Sequence, residues 1–155
     1  MKRNKNIFSK IGSLIPGYTG YAERDGRRNC DKALREGIVI KLIEVEKILY
    51  EKMNEALKQK NKDHIRDIEE VRKQINTFIS KVKFAPHGAT SFFNDNQIKE
   101  DELLNIYQVD LDLAESVGYL YNNLDTSTLL EKKEMLKASQ KILIKRNTFI
   151  NEFKG

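Results

Sequence analysis

Cysteine occurs once in these 155 residues, at Cys30, so no internal disulfide can form. A reducing compartment is expected, and the cytoplasm is its simplest form. Proline occurs twice, at Pro16 and Pro86, and glycine eight times. The long stretches free of both favour long helices. Histidine is also scarce, with only His64 and His87. The di-metal site of some helical bundles needs Glu three residues before His on facing helices. Here those positions are Asn61 and Phe84, which excludes it. No Gly-x-Ser-x-Gly, no cysteine–histidine nucleophile signature and no phosphate-binding glycine loop is present. Neither enzyme activity nor a cofactor or metal is therefore expected. Asp110 and Asp112 flank Leu111, and they read as solvated helix carboxylates. No run approaches the roughly 18 apolar residues of a spanning helix. The densest stretch, 38–49, carries Lys41, Glu44, Glu46 and Lys47. The basic start is followed by apolar residues broken by Ser9, Lys10, Gly12 and Ser13, so no secretory leader is expected.

What is abundant is charge, at 33% of residues beside 39% hydrophobic. That balance suits amphipathic helices and is too apolar for disorder. The net charge of +5 is unevenly placed. Residues 1–35 hold nine basic and three acidic side chains, a balance of +6, and the rest hold nineteen and twenty, a balance of −1. One basic end points to an acidic partner: an anionic membrane surface, a nucleic acid or an acidic protein face.

Apolar spacing predicts the elements. Ile7, Phe8, Ile11, Leu14 and Ile15 form one stripe of a short helix over 4–15, ended by Pro16-Gly17. A long helix over about 22–60 follows, roughly 55–60 Å long, with Gly26 and Gly37 as weak points. Asp63 is the expected cap of a helix over 63–84. A long connection over 85–96 precedes helices over 98–122 and to 153, the last capped by Thr126 or Ser127. The expected fold is all-α: an antiparallel, up-down bundle of about four helices with a short N-terminal amphipathic helix. The divisions are the basic helix 1–15, the Pro/Gly/Tyr loop 16–21 and the bundle 22–155.

Three features have both a functional and a plain reading. In the N-terminal helix, Ile7, Phe8, Ile11, Leu14 and Ile15 can enter a lipid headgroup boundary. Lys2, Arg3, Lys5 and Lys10 would then meet anionic lipid at about 1 kcal/mol each. The plain reading packs the same stripe on the bundle. Arg24, Arg27 and Arg28 can bind an acidic partner, or pair internally with Asp31 at helical spacing. His87, Phe92 and Phe93 can form a docking knob, or the two phenylalanines can plug the bundle's end.

Pro16-Gly17-Tyr18-Thr19-Gly20-Tyr21, then Arg24 and Arg27-Arg28-x-x-Asp31, resembles the opening of a group of small bacterial all-helical proteins of uncharacterised function. Phe84 through Gly88, Phe92-Phe93 and Glu102-Leu103 to Tyr107-x-x-Asp110 is similar to a second stretch of that group. The chain departs at His87, where tyrosine is usual, and at Asn94, where aspartate is common. The resemblance implies that both loops are built features. It makes Tyr18, Tyr21 and the residues above candidates for partner binding, and it carries no activity. The basic start is also similar to that of phage-shock-type membrane-associated proteins.

The leading expectation is a non-enzymatic helical adaptor at the cytoplasmic membrane surface, peripheral on its inner face, or in a membrane-associated complex with a protein partner. A protein-interaction or self-assembly module without lipid, hence a homo-oligomer, is the alternative. Sequence-independent nucleic-acid binding through the basic end is the weakest of the three.

Overall fold

A computed structural model describes residues 2–84, 91–94 and 97–153, with side chains described from Asn6 onward. The described residues form six α-helices and no strand: α1 (Lys2–Leu14), α2 (Arg27–Lys58), α3 (Lys62–Lys83), α4 (Ser91–Asn94), α5 (Glu100–Asn122) and α6 (Leu129–Glu152). A 3-10 turn over Arg24–Gly26 leads into α2. The all-α expectation holds. The long helix is shorter than predicted because residues 15–23 form a loop of turns and bends before it. At 1.5 Å per residue its 32 residues run about 48 Å.

Two helix starts differ from expectation by a few residues. Asn61, not Asp63, caps α3, with its side chain accepting from the His64 amide at 3.2 Å. Thr128, not Thr126 or Ser127, caps α6 in a reciprocal box with Glu131. Asn61 and Thr128 each offer a short side-chain oxygen just before the first turn, within reach of the third helical amide, and that geometry selects them.

α2 and α3 form one antiparallel hairpin, shown by Arg72 on Glu46 and Arg35 on the Lys83 carbonyl. α5 and α6 form the second, with Arg146 on Asp110 and Ser116 on Ser139. The hairpins stand side by side, α2 against α5 and α3 against α6. Lys41 over the Tyr121 ring and Lys52 on Asp125 show that α2 and α5 run parallel. α3 and α5 are therefore diagonal, and α3 ends where α5 begins, at one end of the bundle. α4 lies at that end, against Arg27.

The core is continuous from Leu34, Leu42 and Leu49 through Ile75 and Phe78 to Ile106, Val117 and Leu143. α1 lies on α5 and reaches α2 at its end. A Cβ on Gly37 would stand 2.8 Å from Ile15 Cδ1, so the expected weak point of α2 is the seat of the α1 stripe.

Candidate functional site

The end of the bundle where α4 lies holds the only dense group of buried polar side chains among the described residues. Asp110, on α5, is fully buried. Its Oδ2 accepts from the Tyr18 hydroxyl at 2.7 Å and from the Tyr21 hydroxyl at 2.5 Å. Its Oδ1 accepts from Arg146 Nε at 2.6 Å. The Arg146 guanidinium also reaches Asp31 Oδ1 at 2.8 Å and the Tyr21 oxygen at 2.9 Å. Asp31 in turn holds Arg35 at 3.0 Å, one helical turn on. Five segments of chain meet in this cluster: the 18–21 loop, α2, α5, α6 and, through Arg27, α4.

The loop is fixed by its backbone as well. Gly20 takes φ +91°, and a Cβ there would lie 2.7 Å from the Tyr107 hydroxyl and 2.8 Å from the Phe8 ring. Only glycine fits such a place. The Gly20 amide donates to Cys30 Sγ at 3.2 Å, and the Tyr21 amide donates to the Tyr107 hydroxyl at 3.0 Å. Arg27 donates to the carbonyls of Tyr21 at 3.0 Å and Phe92 at 2.9 Å, which joins the loop to α4. Phe92 fills the space between Tyr21, at 5.2 Å, and Phe153, at 5.7 Å.

Burial dominates the electrostatics. It pushes the Asp110 carboxyl up, against the pull of Arg146 and the two tyrosine hydroxyls. Tyr18 and Tyr21 rise well above the usual phenol range through burial and the nearby Asp110. Burial raises the Cys30 thiol to about 11. Burial alone would lower the Arg146 guanidinium, but Asp110, Tyr21 and Asp31 reverse this and hold it well above its ordinary value. Shifts of this size often mark catalytic groups, but buried ion-pair networks cause them too. Here every hydroxyl and carboxylate oxygen named is already engaged, and Asp110 is shut from solvent. The arrangement is a clamp.

The sequence-predicted residues divide sharply. In the stripe, Ile11 and Ile15 are buried and Ile7 and Phe8 pack on the core, with Phe8 5.7 Å from Tyr107; Leu14 alone is exposed, at 51%. The lipid-inserting placement is corrected accordingly: these side chains point at the bundle because α5 and the tyrosine loop offer them an apolar seat. Lys10 is exposed. The side chains of Lys2, Arg3 and Lys5 lie outside the described residues, as does His87. Tyr18, Tyr21 and Arg27 are buried in the clamp, so none of them is free to meet a partner. Arg24 is exposed. Arg28 lies over the Phe93 ring at 4.9 Å and donates to Asn94 at 3.1 Å. Phe92 and Phe93 are the plug. Asp110 is no solvated carboxylate, and Asp31, Cys30, Tyr107 and Arg146 complete a group the sequence reading did not assemble. One signal for it was present: the two loop motifs both end in Asp, at Asp31 and Asp110, and the fold brings both onto Arg146.

A cavity of about 380 Å3 opens at the other end, lined in part by Leu49, Lys52, His64, Asp67, Leu124 and Lys132. Its cations are engaged, Lys52 with Asp125 at 2.5 Å and Lys132 with the Ser127 carbonyl at 2.6 Å. Among the described residues no group of three or more His, Cys, Asp or Glu could hold a metal ion, and no helix is long and apolar enough to cross a membrane. No family model, curated protein or solved structure matches the chain.

Proposed function

We propose that this chain is a non-enzymatic helical module that works by self-association, without inserting into lipid. The observation that carries this reading lies on α2. Ile40, Ile43, Tyr50 and Leu57 are 60%, 48%, 47% and 53% exposed. They fall on one outer line of the helix, opposite the buried Leu42, Val45 and Leu49. The core is complete without them, and clustered exposed apolar side chains commonly mark an interaction surface. The polar groups that could do chemistry are meanwhile engaged in the clamp. Light scattering on the full chain across a concentration series tests the reading. A mass rising toward twice 18.0 kDa is expected. Ile40→Ser with Ile43→Ser should hold it at one copy with an unchanged helical spectrum. A wild-type mass fixed at one copy would reject self-association.

A peripheral adaptor on an anionic membrane surface is the second reading. It is favoured by the outward side of α1, where Lys10 and Leu14 are exposed. With Ile11 and Ile15 in the core, such contact would be adsorption by charge, and vesicle binding should vanish as salt is raised. Vesicle binding that survives high salt would point to insertion instead. Nucleic-acid binding would share the salt dependence but need no vesicle.

A further inference from the structure

The geometry points to an antiparallel, two-fold pairing of α2 with α2 of a second copy, centred between Ile40 and Ile43. This rests on the self-association proposed above and adds the face and the register. The outer line of α2 runs through Glu36, Ile40, Ile43, Lys47, Tyr50, Asn54 and Leu57, with steps alternating four and three. That is the spacing of a seam between two helices, where side chains of one fill gaps of the other.

Charge selects among the ways of pairing it. A parallel pair in register sets Lys47 against Lys47 and Glu36 against Glu36. An antiparallel pair centred near residues 48–49 sets Lys47 against Tyr50, Ile43 against Asn54 and, beside the seam, Glu44 against Glu51. One centred on residue 45 sets Ile43 against Lys47 and Glu44 against itself. The pairing centred between Ile40 and Ile43 has none of these conflicts. Ile40 meets Ile43 of the second copy twice, and Glu36 meets Lys47 twice, one on each side of the apolar centre. Beside the seam Glu44 comes level with Gly37, which Ile15 covers, and Glu46 faces Val39. Glu46 is already neutralised by Arg72 at 2.6 Å within its own chain. The seam from Glu36 to Lys47 covers about 17 Å of helix. Beyond it, Tyr50 falls at the level of Ala33, beside the exposed Pro16-Gly17 turn; a Cβ on Gly17 would lie 3.7 Å from the Ala33 methyl.

Glu36 and Lys47 are both exposed, and the contact of Glu36 with Lys32 is a long 3.9 Å, so exchanging their charges leaves the fold intact. The test is sedimentation equilibrium of the full chain at moderate salt, with helical spectra and melting of every variant. Glu36→Lys and Lys47→Glu each set like charges opposite one another and should each weaken the dimer roughly tenfold, about 1.4 kcal/mol. The double variant restores opposite charges in both pairs and should recover an affinity within about threefold of wild type. A dimer indifferent to both single changes would overturn this register while leaving self-association standing. Single changes that weaken the dimer without recovery in the double variant would overturn the Glu36–Lys47 pairing. A wild-type chain that stays single at every concentration would overturn self-association and register together.

Discussion

Asp110 shows how much can depend on one side chain. It accepts hydrogen bonds from three donors on two other segments of chain and is itself fully buried. A buried ion pair adds little net stability against well-packed apolar groups, but removing one partner strands the other. Asp110→Ala should therefore lower the unfolding free energy by about 3–5 kcal/mol in denaturant titration. A loss below about 1 kcal/mol would mean that Asp31 alone satisfies Arg146. Cys30 gives a second test at this scale. Fully buried, with its thiol raised to about 11, it should resist a thiol reagent at pH 8 in the folded chain and react promptly in denaturant. The sequence showed Cys30 only as a lone cysteine, without its burial. It did not reveal Asp110, because helical spacing places a carboxylate on a face without saying which faces meet another charge. Arg146 and Asp110 stand 36 residues apart and come together only through the hairpin.

Among the elements, α1 was legible in its stripe and not in its destination. Periodicity gives an apolar face, and lipid and protein core are alike to that face. Gly20 and Gly37 decide the matter by letting α1 and its loop approach closely enough to be covered. Ile11→Asp should unfold the chain or lower its melting temperature severely, since the site is 0% exposed, while Leu14→Asp at 51% should leave melting nearly unchanged. Equal effects at both positions would show that α1 is not seated this way. The turn between α2 and α3 carries a smaller strain. Lys60 takes φ +55° where α2 ends, with the Lys60 and Asn61 amides closing on the Leu57 and Ala56 carbonyls. Glycine is the usual residue there. Lys60→Gly should raise stability by about 1 kcal/mol, read as a higher denaturation midpoint with an unchanged slope.

The whole molecule has one end knitted by polar groups and one that is not. Tyr18, Tyr21 and Tyr107 are all raised by burial in the knitted end. Their folded values lie above the unfolded value of about 10. The folded state thus keeps protons that the unfolded state gives up. Their contribution to stability is complete below pH about 10 and falls as pH rises beyond it. In an alkaline titration, tyrosinate absorbance from these three rings should appear only together with the loss of helical signal. Their ionisation in a chain still fully helical would contradict the packing of this end. The helical class, the helix count of the bundle and the plug by Phe92 and Phe93 were readable from spacing and turn residues. The side-by-side placement of the two hairpins was not, because the spacing along α3 gives it an apolar face without saying which helices that face meets.

That knitted end also has a bearing on the order in which the chain is made. Tyr21 leaves a ribosome 125 residues before Arg146, which binds both it and Asp31 in the folded chain. At about 5–20 residues per second, the carboxylate of Asp31 waits on the order of ten seconds for the guanidinium that neutralises it. Through most of that interval α5 is also unmade, so the apolar face of α1 has no seat. A nascent chain of this protein therefore carries a basic, apolar-faced helix in the open until α5 has emerged to seat it.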